Sequence, residues 1–317
     1  MAAPPGKGGF CRRRPSALCA FHPGARAYAR GVTVLEVIQR STEFLTRKGV
    51  ESPRLQVELL LAHVLGMPRL KLYLNFERGL SGTELDTVRE LVKRRGAREP
   101  LQYLVGSTSF CGLELRVTPD VLIPRPETEL LAERAWCFLG QLDSRPATAL
   151  DFGTGSGCLA IALAVRCPAA AVTAVEVSAS ALAVASANAA RHGVSGRVRF
   201  VEGDGFAAMP AEARFHLIVA NPPYIPRAEL ATLQPEVRDH EPRSALDGGA
   251  DGLDFIRRLA AEGARWLHPG GRLMLEFGDG QAEAVGALFA DQGWTVEAVE
   301  NDLTSRPRIL VARPPAA

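Results

Sequence analysis

Between residues 147 and 313 short aliphatic runs alternate with helix-length stretches, and this alternation narrows the possible folds more than any other feature of the chain. Strands are predicted at about 147–151, 171–176, 197–202, 215–220 and 271–277, interspersed with helices at about 157–166, 179–192, 252–266 and 281–292. Strand–helix–strand units of this length form a parallel sheet through right-handed crossovers. Two final strands, about 294–300 and 308–313, follow with no helix between them, so one of the pair runs antiparallel.

Ahead of this region the pattern is helical. Thr33-x-x-Glu36 and Ser81-x-x-Glu84 are capping boxes placed before apolar residues at helical spacing, and Ser52-Pro53 offers an N-cap and a first-turn proline ahead of Leu55, Leu59, Leu60 and Val64. Residues 33 to about 98 therefore read as a small helical domain. Between Ser107 and Thr118 the alternation of Phe110, Leu113, Leu115 and Val117 predicts a hairpin turning at Gly112 and joining the two domains.

Charge is distributed unevenly along the chain. No Asp or Glu precedes Glu36, while six of the 37 basic residues lie in that stretch, which leaves 31 basic against 35 acidic residues, a net charge of −4, in the remainder. A domain of net −4 lacks the broad cationic surface that duplex binding requires. The acid-free, basic, Ala/Gly/Pro-rich N-terminus has the composition of a transit segment, a disordered basic tail being the alternative, and lacks the long apolar stretch of a secretory signal. The longest aliphatic run, Leu159 to Val165, is too short to span a bilayer. Six cysteines and six histidines are scattered without metal-ligand spacing, so no metal is expected.

The residues with chemical potential fall at the predicted strand ends, where open α/β sheets bind ligands. Asp151, Gly153, Thr154, Gly155, Ser156 and Gly157 form a glycine-rich turn between the first strand and its helix, and such a turn brings backbone N–H groups close to a ligand. It carries neither the Lys of a phosphate-binding loop nor the flanking glycines of a nucleophile elbow. Glu176, 19 residues beyond Gly157 at the end of the second strand, is placed to accept from both hydroxyls of a ribose. Asp204, followed by Gly205 after the third strand, is placed to accept from an adenine amine, so an adenosine-bearing cofactor is expected.

Asn221-Pro222-Pro223-Tyr224 follows the fourth strand. The Asn221 side chain supplies one carbonyl, and the stiff Pro222-Pro223 unit fixes a backbone carbonyl at Pro222. Two convergent acceptors suit a planar NH2 group, against which Tyr224 could stack.

With these motifs the chain resembles the HemK-type (PrmC) protein-(glutamine-N5) methyltransferases, and their mitochondrial members most of all. The resemblance runs from about residue 33 to 313 and includes Glu99-Pro100-Leu101-Gln102-Tyr103, the run Pro124-Arg125-Pro126-Glu127-Thr128-Glu129, the glycine turn, Asn221 to Tyr224, and Ala245-Leu246-Asp247-Gly248-Gly249. The Pro-Arg-Pro-Glu-Thr-Glu run is the specific part, because Asn-Pro-Pro-Tyr also occurs in adenine-N6 nucleic-acid methyltransferases. Gln56-Val57 replaces the more usual Asp-Ala before Glu58, a departure that bears on substrate docking.

The resemblance implies a class I S-adenosylmethionine-dependent methyltransferase, with a Rossmann-like seven-stranded sheet, a small N-terminal helical domain and a connecting β-hairpin. Its expected layout is a transit segment at 1–32, a helical docking domain at 33–105, a hairpin linker at 106–125 and the methyltransferase domain at 126–317. It implies S-adenosylmethionine as cofactor, held by Asp151, residues 153–157, Glu176, Asp204, Gly205 and Asn221. The implied substrate is the glutamine of the Gly-Gly-Gln motif in peptide-chain release factors. Asn221, Pro222 and Tyr224 would be catalytic, with Pro223, Phe110 and Arg125 on the substrate side. A matrix-located monomer acting on a protein, with no nucleic-acid or membrane partner, is expected. The competing readings are an adenine-N6 nucleic-acid methyltransferase and a non-catalytic adaptor that retains the fold.

Overall fold

The computed structural model describes residues 31–143 and 146–315, so the expected transit segment lies outside the described residues except for Gly31 and Val32. Five helices come first: α1 (Val34–Arg47), α2 (Pro53–Val64), α3 (Arg69–Leu72), α4 (Gly82–Gly96) and α5 (Leu101–Val105). Both capping boxes form, with the Thr33 and Ser81 hydroxyls accepting the N–H of Glu36 and Glu84 and the two carboxylates accepting in return. The start of α2 differs from expectation. Ser52 adopts a left-handed conformation at φ 47° and makes no capping hydrogen bond, so Pro53 alone marks that helix start.

These helices bury a core of their own around Val34, Ile38, Leu45, Leu60, Leu61 and Val88. Glu58 is buried within the same unit, and its carboxylate accepts from Arg54, Arg69 and Tyr73. These donors offset its burial and hold its pKa below the usual carboxylate range.

Strands β1 (Ser107–Phe110) and β2 (Leu113–Arg116) form the hairpin, turning through Cys111 and Gly112, both at positive φ. The hairpin lies on the outer face of the sheet domain, where the Asn188 side chain bonds both backbone groups of Arg116. Helix α6 (Pro126–Gln141) follows and has no counterpart in the predicted elements. Its first turn carries Pro126, Glu127 and Glu129, an arrangement that suits a helix N-terminus.

The large sheet contains β3 (Ala147–Phe152), β4 (Ala170–Glu176), β5 (Val198–Glu202), β6 (Phe215–Ala220), β7 (Leu267–Glu276), β8 (Thr295–Asn301) and β9 (Pro307–Arg313) in the order β5-β4-β3-β6-β7-β9-β8. The first five pair in parallel, and β9 runs antiparallel to both neighbours, which supplies the single reversed strand. Helices α7 (Cys158–Arg166), α8 (Ala179–Arg191), α9 (Pro235–Arg238), α10 (Asp254–Glu262) and α11 (Ala282–Asp291) complete the domain. Apolar clusters fill both faces of the sheet. This is the class I methyltransferase fold with a helical N-terminal domain. Chain order reverses between β3 and β6, so a crevice opens at their carboxyl ends. No helix among the described residues is long and apolar enough to cross a membrane.

The helical unit is tied to the sheet domain by an ion cluster. Arg95, only 3% exposed, and Arg98 both reach Glu236 of α9 at 2.6 Å, and Gln56 accepts from Arg95 on the other side.

Candidate active site

The turn from β3 into α7 forms the floor of the crevice. Gly153, Gly155 and Gly157 all have positive φ, which side chains resist, but they serve two purposes. A Cβ on Gly153 or Gly155 would meet no protein atom within 4 Å, so these glycines leave the wall open to a ligand. A Cβ on Gly157 would lie 2.9 Å from Ile161 and 3.1 Å from Ala185, so this glycine allows α7 and α8 to pack closely.

Asp151 corrects an expectation: its side chain lies beneath the turn and outside the lining of the crevice. Its Oδ2 accepts from the Thr154 hydroxyl at 2.6 Å and the Ala160 N–H at 3.1 Å, bracing the loop from below. Burial pushes its pKa up to about 6, against the lowering effect of those two donors and with the nearby Glu176 charge adding to the rise.

Glu176, at the end of β4, accepts from the N–H of Gly155 at 3.0 Å and of Ser178 at 3.1 Å, one on each carboxylate oxygen. The carboxylate is thereby fixed at the crevice with lone pairs to spare. Gly205 allows the Phe152 ring to fill the space a Cβ would take. Asp204 also lines the crevice, but its carboxylate pairs with Arg258, a partner the sequence reading does not include.

From the end of β6, Asn221, Pro222 and Pro223 form the facing wall. Asn221 Nδ2 donates to Thr128 Oγ1 at 3.0 Å, and that hydroxyl donates to Glu276 Oε2 at 2.7 Å. Tyr224 does not line the crevice, contrary to expectation. It lies behind the motif with its hydroxyl donated to Glu276 Oε1 at 3.2 Å, and burial raises its pKa. Thr128 and Glu276, joined to Asn221 by these hydrogen bonds, are residues of the site that the sequence reading does not single out. Thr128 was visible within the Pro-Arg-Pro-Glu-Thr-Glu run, and Glu276 as an acid at a strand's carboxyl end.

The crevice is also lined by Asp120, Val121, Leu122 and Pro124 and by Pro242, Ser244 and Ala245. Residues 36–106 match the PrmC N-terminal domain family, and residues 134–234 match the methyltransferase small domain family. The chain is 49% identical to the release factor glutamine methyltransferase of Geobacter sulfurreducens over 262 residues, covering 83% of this chain and 90% of that one. It is 48% identical to the corresponding protein of Chlorobaculum tepidum over 269 residues, covering 82% and 91%. The chain belongs to the release factor glutamine methyltransferase family.

Members of this family are S-adenosylmethionine-dependent protein-(glutamine-N5) methyltransferases. A solved structure of one, the release-factor-specific enzyme from Alicyclobacillus acidocaldarius, is similar to this chain at 35% identity with a TM-score of 0.38, covering 63% of this chain and all of that one. The crevice fits the family's cofactor in three respects. The floor is kept free of side chains at Gly153 and Gly155, Glu176 at the crevice holds a fixed carboxylate suited to a ribose, and Asn221, Pro222 and Pro223 line the same crevice.

Two substrate-side expectations of the family resemblance need correction. Phe110 is 1% exposed and packs in the core with Leu131 and Ala132, away from the crevice, because its hairpin folds that face inward. Arg125 does not line the crevice either; it is bound to Glu241, and its neighbour Pro124 supplies the wall.

Proposed function

We propose that this protein transfers a methyl group from S-adenosylmethionine to the side-chain amide nitrogen of the glutamine in the Gly-Gly-Gln motif of a mitochondrial peptide-chain release factor. The observation that carries the reading is the position of Asn221 and Pro222, which face the Gly153–Gly157 floor and Glu176 across one crevice. Residues 153–157 and Glu176 would hold the cofactor, which when bound supplies an electrophilic methyl group.

An amide nitrogen is a poor nucleophile because its lone pair is delocalised into the carbonyl. The protein's task is therefore alignment more than proton removal. Acceptors at Asn221 and Pro222 would hold both N–H groups of the glutamine, orient its nitrogen and favour the positive charge that develops on it. The surplus proton leaves to solvent after the nitrogen is alkylated, so no general base is assigned.

Acceptors at Asn221 and Pro222 would select a primary amide but cannot distinguish one glutamine from another, so further surface must supply specificity. Residues 33–105 are suited to that docking role, because Arg95 and Arg98 fix the helical unit to Glu236, close to the crevice wall at Pro242. The acid-free N-terminus supports import into the mitochondrial matrix. The test is incubation of a purified mitochondrial release factor with enzyme and methyl-labelled cofactor. Label should enter the intact factor and fail to enter a variant in which the motif glutamine is alanine. Equal labelling of both would refute the assignment.

A further inference from the structure

We infer that Thr128 and Glu276 are positioning residues that set which end of the Asn221 amide faces the substrate. The inference rests on the proposed function, since it requires that Asn221 receive a primary amide. A hydroxyl has one proton, and Thr128, 1% exposed, gives its proton to Glu276 Oε2 at 2.7 Å. Glu276, also 1% exposed, accepts on its other oxygen from Tyr224. A carboxylate accepts only, so both hydroxyl donors are committed to it. Thr128 then has only lone pairs left to offer Asn221, which must therefore present its NH2 to Thr128, as the 3.0 Å contact from Nδ2 records.

The consequence appears at the other end of the amide. With Nδ2 turned toward α6, Oδ1 is free of protein donors among the described residues and belongs to a side chain that lines the crevice. The two orientations of an Asn amide are nearly identical in shape and differ only in polarity. Reversal would bring an NH2 group against the substrate's NH2 group, replacing an attraction with two opposed donors. Glu276 thus acts through Thr128 from the end of β7, and Tyr224 holds the other side of the same carboxylate.

Thr128→Val removes the hydroxyl at nearly constant volume, and Thr128→Ser restores it. With full-length enzyme and intact release factor, the valine variant should lose kcat by about tenfold to a hundredfold. Its KM for the release factor and its Kd for S-adenosylmethionine should remain within about twofold of wild type, and serine should recover most of the loss. Thr128→Ala, which lacks the hydroxyl but adds no bulk, should match valine and serves if valine's second methyl is not accommodated. A kcat within about threefold of wild type in both variants lacking the hydroxyl would overturn the inference, as would a serine variant as impaired as valine. An inactive wild type would refute the proposed function and this inference with it. An active wild type with equally active valine and alanine variants would refute this inference alone.

Discussion

Arg125, at the start of α6, and Glu241, in the loop after α9, form an ion pair of 2.6 Å in which the carboxylate side chain is 1% exposed. The pair fastens the 120–124 wall of the crevice to the wall at Pro242. Burial raises the Glu241 pKa while Arg125 opposes the rise, and one of its oxygens has no hydrogen-bond partner among the described residues. Removing the arginine alone strands a buried acid. Arg125→Met should therefore destabilise the protein by about 2–4 kcal/mol, less than a fully ionised orphan would cost because the acid can take up a proton. Arg125→Met combined with Glu241→Met should recover most of that loss. Chemical denaturation of the four proteins of the cycle checks this, and simple additivity would show that the pair is not coupled.

Asn221→Ala deletes the acceptor aimed at the substrate and leaves Glu176 and the glycine floor in place. We expect kcat to fall about a hundredfold, equivalent to about 3 kcal/mol of transition-state stabilisation, with cofactor affinity largely kept. Steady-state kinetics beside calorimetric titration separates the two quantities. A large loss of cofactor binding would place Asn221 on the cofactor instead.

Glu176→Ala should weaken S-adenosylmethionine binding by about 1–3 kcal/mol, because ribose hydroxyls would lose their acceptor. The Gly155 and Ser178 N–H groups lose theirs as well, so the loop should also exchange its amide hydrogens faster. Unchanged calorimetric affinity would mean that the ribose is held elsewhere.

Acid should inactivate the enzyme through Glu276. Burial raises its pKa, against the donors Thr128 and Tyr224 and the charge of Arg308, while Glu127 adds to the rise. As pH falls, this group is protonated before an ordinary carboxyl, and the protonated acid can donate to Thr128. The threonine proton is then released toward Asn221, and the amide is free to reverse. The kcat profile should accordingly drop on the acid side in wild type and flatten in Thr128→Val. Parallel profiles for the two proteins would count against the relay.

Most of the sheet was legible because each strand end coincides with a change of hydrophobic period, and the missing helix between the last two strands marked one of them as reversed, which the structure shows to be β9. Helix α6 was not, since its prolines and acids read as a motif before they read as a helix start. Glu176 and Asn221 line the crevice, at the strand ends where the sequence pattern puts them. Phe110, Arg125 and Tyr224 were misplaced for a shared reason: sequence proximity to a motif does not reveal which face of the chain turns inward. Asp151 likewise braces the loop from below. The Asn221–Thr128–Glu276 chain joins α6, the end of β6 and β7, so only the folded arrangement brings it together.

The most direct test of the account is tandem mass spectrometry of a mitochondrial release factor treated with the enzyme and S-adenosylmethionine, beside the same factor treated with Asn221→Ala. One added methyl group, located by fragmentation on the side-chain nitrogen of the Gly-Gly-Gln glutamine, is expected in the wild-type reaction and almost none with the variant. An unmodified glutamine after wild-type treatment, or a methyl group on any other residue or on nucleic acid, would contradict it.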